Sequence, residues 1–223
     1  MIGVIRLADE VADNLHFILF YVALGLCLAP LLRWLTGVRI QTSIRLVLLG
    51  YIFIWAGPLI DLLLSIGDSP VIGYIWPGLT SSLLKSYFTF FGSGGWVGVT
   101  WGIRIELFGL IILFFLFVLH KSGWLRALLA VLLLYSLLFL FAATPFWLSA
   151  FYRMLHIMPP FGLTSYDFVY LFSFISLALL ASLFAYAYPH YFVALLKDFR
   201  WERVLHFMLI FLLGAVIARN RFF

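Results

Sequence analysis

Three ionisable residues stand inside otherwise apolar sequence: Asp61, Arg104 and Glu106. A charge at the centre of a membrane span costs about 2.5–3.5 kcal/mol, so such groups pair, find water or serve a purpose. Arg104 and Glu106 are two positions apart and do not face each other on one helix. A cross-helix Asp61–Arg104 pair is therefore the expected arrangement. Two readings follow. Either the three line a wet cavity that binds a polar head group or relays protons, or they form a structural ion pair between two helices near a membrane boundary.

Other chemistry is thinly represented. The histidines are His16, His120, His156, His190 and His206, each near an expected helix end and none four residues from another. Facing pairs could hold a haem or a chlorin; their placement points instead to hydrogen-bonded interfacial side chains. Asp9 and Asp13 have the bare Asp-x-x-x-Asp spacing of a metal–diphosphate motif, but they fall on the polar face of an N-terminal helix. Nucleophile-elbow, zinc-protease, phosphate-loop and desaturase motifs are absent from the sequence. The expectation is a chain with no catalytic residues, no metal site and no evident cofactor. Cys27 is the single cysteine, set in an apolar run, and reads as a small packed side chain.

The elements that carry these residues follow from composition. The 223 residues are 65% hydrophobic and only 10% charged, with a mean hydropathy of +1.15. A soluble chain of this size could not hide so much apolar surface, whereas a bilayer leaves outward faces in an apolar solvent. The expected fold is all-α and polytopic, a single transmembrane domain over 1–223 with about six spans (five to six) near 15–34, 43–66, 101–120, 124–143, 167–188 and 204–218. The last run is short of the roughly 30 Å hydrocarbon core, so Arg203 and Arg219 would have to snorkel outward for it to cross.

Three further helices are expected at the interface. Apolar residues at 1, 4, 5, 8, 11 and 12 give an amphipathic helix over 1–13 with an acidic polar face. A second, over 79–91, starts near Thr80 or Ser81, ends at Gly92 and is too short to cross, so it lies in the interface or dips in and returns. A third, over 145–157, is announced by Thr144-Pro145 and stopped by Pro159-Pro160. Small-residue motifs are sparse, although Gly50 and Ala56-Gly57 would allow close helix approach.

Orientation follows from the basic residues. With the N-terminus outside, the short inner links hold Arg33, Arg39, Arg45, Lys121, Arg126, Lys197, Arg200 and Arg203, while Arg6, Lys85, Arg104, Arg153, Arg219 and Arg221 are spread over longer outer segments. A net charge of +5 in this pattern is that of membrane flanks, not of a nucleic-acid surface. The partners expected are the lipid bilayer of a plasma (inner) membrane and another membrane chain. The leading expectation is a non-catalytic subunit or accessory protein of a membrane complex. Its rivals are a small transporter or lipid-handling protein with a polar site at Asp61, Arg104 and Glu106, and a membrane enzyme, or part of one, acting on an isoprenoid or lipid. An aromatic-lined groove for such a tail is one reading of the Phe excess along 87–91 and 137–151; interface belts and lipid-facing side chains are the other.

Overall fold

Lipid offers no hydrogen bonds, so a backbone crossing it must satisfy its own, and apolar runs of this length fold as helices. The computed structural model describes residues 2–64, 80–89, 100–156, 163–198, 206 and 209–210. Nine α-helices lie among them: α1 (Ile2–Thr36), α2 (Ile40–Gly50), α3 (Ala56–Leu64), α4 (Thr80–Phe88), α5 (Trp101–Ser122), α6 (Trp124–Ala142), α7 (Thr144–Met154), α8 (Ser165–Ala187) and α9 (Pro189–Asp198). Five stretches are long and apolar enough to cross a membrane: Val11–Thr36, Ile40–Leu63, Gly102–Ser122, Trp124–Ala142 and Ser165–Ala187. Between 11% and 33% of each spanning window is buried against protein, so the remaining apolar faces require an apolar solvent. The expected sixth span, 204–218, lies outside the described residues except for His206, Leu209 and Ile210, which are helical.

The N-terminal amphipathic helix and the first span are one element. α1 runs unbroken for 35 residues, about 52 Å at 1.5 Å per residue, more than the roughly 40–45 Å of a whole bilayer. Nothing between residues 4 and 29 is glycine followed by a breaker or proline, so the chain has no reason to stop at residue 13. α1 ends at Gly37, whose φ of +71° closes the turn while its N–H bonds the Arg33 carbonyl at 2.7 Å.

The second span is not one helix. α2 gives way to a tight 3₁₀ turn over Tyr51–Trp55 before α3 begins. Pro58 explains the break, since its ring opposes the carbonyl four residues back and it has no N–H to donate. The Ala56 N–H turns to Phe53 O, the bond a 3₁₀ turn makes. Tyr51 then points at α1, where its hydroxyl donates to the Tyr21 carbonyl. Gly25 leaves the space for it: a Cβ there would stand 1.9 Å from the Tyr51 hydroxyl.

α5 and α6 form a hairpin closed by Gly123 at φ +86°. The fully buried Val118, Ala127 and Ala130 pack this hairpin against Leu32 and Leu35 of α1. A second cluster joins Ala23 and Leu24 of α1 to Phe141, Leu148, Phe168 and Phe172, carrying α7 and the start of α8. α7 begins at Thr144 with Pro145 in its first turn, but Thr144 is not the N-cap that a Thr-Pro start implies: Ala143 holds that place, and the Thr144 hydroxyl donates to the Phe141 carbonyl. α7 closes earlier than expected, at Met154, with His156 in the left-handed region at φ +55°.

α4 touches the bundle through a few side chains. Leu83 and Ser86 are buried, and Leu83 packs with Phe139 of α6 and with Ala143 just beyond its end. Tyr87 shares a 2.8 Å hydrogen bond with Ser136, and the Tyr135 hydroxyl donates to the Tyr87 carbonyl.

The chain divides into two compact units, Met1–Ser176 and Leu177–Phe223. In the second, Pro189 begins α9, and Phe184, Tyr188 and Phe192 make edge or tilted ring contacts around it.

Gly25→Ala drives a methyl group into the Tyr51 hydroxyl, and overpacking of this kind costs about 1–3 kcal/mol. Unfolding in detergent should show that cost reduced in a Tyr51→Phe background; an equal cost in both backgrounds would place the damage elsewhere.

Candidate functional site

Asp61 sits near the end of α3 and is 5% exposed. Its Oδ1 accepts the Gly102 N–H at 2.8 Å and its Oδ2 accepts the Thr100 hydroxyl. Both donors stand at the start of α5, where four backbone N–H groups have no intrahelical partner and the helix dipole is positive. Thr100 is the N-cap of the same helix, and its hydroxyl oxygen accepts the Ile103 N–H at 3.3 Å. Asp61 is thus a cap lent by one helix to another. The expected Asp61–Arg104 pair gives way to this arrangement, because the helix N-terminus supplies the positive end that the guanidinium was assumed to provide.

Glu106 lies one turn further along α5 and does a related task. Its Oε2 accepts the Gly57 N–H at 2.9 Å. That N–H is the donor left over when Ala56 takes the Phe53 carbonyl ahead of Pro58. The helices must come very close for this to happen. A Cβ on Gly57 would fall 2.4 Å from the Glu106 carboxylate, and one on Gly102 would fall 2.1 Å from the Gly57 carbonyl. Of the two small-residue positions expected in the second span, Gly57 makes a close approach, while Gly50 faces open space.

The three candidate residues therefore separate. Asp61 is consumed in the cap, Glu106 in part holds the helix break, and Arg104 is half-buried on α5 away from the stripe that Glu106 occupies. That stripe is Ile103, Glu106, Leu107, Leu110, Leu113, Phe114 and Phe117, the three-and-four spacing of one helix face. It forms one wall of a cavity of about 520 Å³. α1 supplies a second wall through Phe20, Tyr21, Leu24, Leu28 and Leu32; α2 and the 3₁₀ turn supply a third; Leu134, Leu138 and Ala142 of α6 complete it.

The cavity is elongated. From Ile103 to Phe117 it follows α5 for about 21 Å, two-thirds of the roughly 30 Å hydrocarbon core. The cluster of Leu32, Leu35, Val118, Ala127 and Ala130 packs against Phe114, Phe117 and Leu46 at the end away from Thr100. At the Thr100 end stand Glu106, Tyr21, Tyr51 and Pro58. Leu49, Phe53 and Leu113 line the cavity and are also exposed on the helix surfaces, so it opens sideways. Among the described residues lining it, Glu106 is the one carboxylate. Sequence reading found Glu106 from its charge; the cavity left a weaker signal, the apolar stripe on α5 that continues from it.

No group of three or more His, Cys, Asp or Glu side chains is placed to hold a metal among the described residues. His16 is buried, with Nδ1 3.2 Å from the Ala12 carbonyl and its ring against Phe17 and Phe168. A second polar cluster caps α8: Asp167 accepts the Thr164 N–H and hydroxyl at 2.8 and 2.9 Å and the Tyr152 hydroxyl at 2.8 Å.

The described residues are almost wholly helical, and five stretches long and apolar enough to cross a membrane mark an integral membrane protein by length and composition. No protein-family model, curated protein or solved structure matches it.

Asp61→Ala should cost about 1.5–3 kcal/mol, the range for hydrogen bonds to a charged group. Arg104→Met should fail to restore a protein weakened by Asp61→Asn, whereas Thr100→Val should show strong non-additivity with it. Recovery in the Asp61→Asn, Arg104→Met double variant, read as folded yield in detergent, would reinstate the ion pair.

The hydrogen bond to Asp167, helped by burial, pushes the Tyr152 phenol up from its ordinary value. The neutral phenol is the form that the fold stabilises. Its contribution is complete below the unfolded value of about 10 and is lost as pH rises through the higher folded one. A stability–pH profile should therefore fall more steeply above about pH 10 in the native protein than in Tyr152→Phe; identical alkaline limbs would count against the bond.

Proposed function

We propose that this chain is a lipid-handling membrane protein that takes the apolar chain of a lipid-like molecule into the cavity between α1, α2, α5 and α6. One observation carries the reading: a cavity of about 520 Å³, apolar along its length and open sideways, with its polar groups gathered at one end. Ligand sites are typically concave and mostly apolar, with a few placed polar groups, and this volume falls in their usual span of roughly 300–1,000 Å³. Conduction of free ions is less favoured, because Asp61 is closed within the cap and the lining beyond Glu106 is aliphatic and aromatic. The same reading places the Thr100 end of the bundle outside, with Arg33, Arg39, Lys121 and Arg126 at the two inner turns.

Gly50 gives a direct test. It lines the cavity and a Cβ there meets nothing within 4 Å, so a larger side chain fills space without a clash. Native mass spectrometry of the gently extracted protein should show a lone chain carrying one lipid-sized mass. Gly50→Leu should reduce that adduct by roughly tenfold, a loss of about 1.4 kcal/mol of binding. Thermal stability should hold or rise, since leucine is about 1 kcal/mol better than glycine in a helix. A bare chain, or an adduct indifferent to Gly50→Leu, would overturn the reading; a stoichiometric second protein would move the function to a complex.

A further inference from the structure

We infer that the molecule held in the cavity ends in a hydrogen-bond donor, a hydroxyl or an amine, and that Glu106 reads it. This rests on the chain-binding reading above and adds the class of head group. The cavity has direction: leucine and phenylalanine line most of it, and Glu106, Tyr21 and Tyr51 stand at the Thr100 end. The Tyr51 hydroxyl is already committed to the Tyr21 carbonyl.

The Glu106 carboxyl group is committed only in part. Oε2 accepts the Gly57 N–H, which holds the side chain in place, and among the described residues no hydrogen bond is made to Oε1. A carboxylate offers about four acceptor positions and no donor. In an apolar wall an unfilled acceptor is costly, so a guest that brings an O–H or N–H gains a charge-assisted bond there. Wherever Glu106 is ionised, a guest ending in a carboxylate or phosphate brings a second negative charge to the same place, with little solvent to screen it. Arg104, the neighbouring cation in sequence, lies off the cavity stripe and does not line the wall. The head group favoured is therefore neutral or positive, and donating.

The test uses three probes of one chain length, a photoactivatable hexadecanol, hexadecylamine and hexadecanoic acid. Each is presented to the full-length protein in phosphatidylcholine nanodiscs, and labelled peptides are mapped by mass spectrometry. The alcohol and the amine should label residues of the α5 stripe about tenfold more than the acid, the range expected of a charge-assisted hydrogen bond. Glu106→Gln keeps a carbonyl acceptor for Gly57 and should bring the three probes within about twofold of one another. Equal labelling of the native cavity by all three would overturn the head-group inference and leave chain binding standing. Labelling by none would overturn both. A preference that survives Glu106→Gln would remove Glu106 as the reader.

Discussion

Inside lipid a backbone N–H that loses its helical partner has no water to turn to, and an orphaned group there costs several kcal/mol. Pro58 creates that situation at Gly57, and the Glu106 carboxylate resolves it. Much of the first unit depends on this repair. For the carboxylate to reach a main-chain N–H, α3 and α5 must approach until only glycine fits at 57 and 102. The same approach brings Asp61 over the start of α5, where it satisfies the Thr100 and Gly102 donors. The break also turns Tyr51 toward α1, so a single proline ties three elements together around one end of the cavity.

The two carboxylates show how one side-chain type takes different parts according to depth and direction. Asp61 ends with both oxygens occupied and almost no exposure. Glu106 lines the cavity on an apolar stripe, and among the described residues one of its two oxygens accepts a hydrogen bond, from the Gly57 N–H. Glycine divides in the same way. Gly57 and Gly102 are needed because backbones touch, Gly25 because a phenol must pass, and Gly50 for neither reason.

Much of the architecture could be read from the residues. Five of the six expected apolar runs coincide within a few positions with helical stretches long and apolar enough to cross, because such runs in lipid have one backbone solution. The start of α7 at Thr144-Pro145 follows from local order, since proline suits a first helical turn and needs no knowledge of neighbours. What local patterns could not supply was pairing between distant elements. The continuity of α1 through Asp13 and Asn14 does not show in the periodicity, because the apolar pattern changes there while the helix runs on. The choice of Asp61 between Arg104 and a helix N-terminus is decided by 2.8 Å geometry across 41 positions of sequence. The cavity is a property of four walls meeting, and each wall alone looks like an ordinary apolar helix face.

The sideways opening beside Leu49, Phe53 and Leu113 has a consequence for how occupancy is counted. A guest arriving there comes from the surrounding leaflet, already parallel to its neighbours, and never passes through water. Saturation then depends on its mole fraction among the lipids rather than on its aqueous solubility. A species comprising one lipid in a hundred would meet this opening by lateral diffusion at the same odds in a small vesicle as in a whole cell.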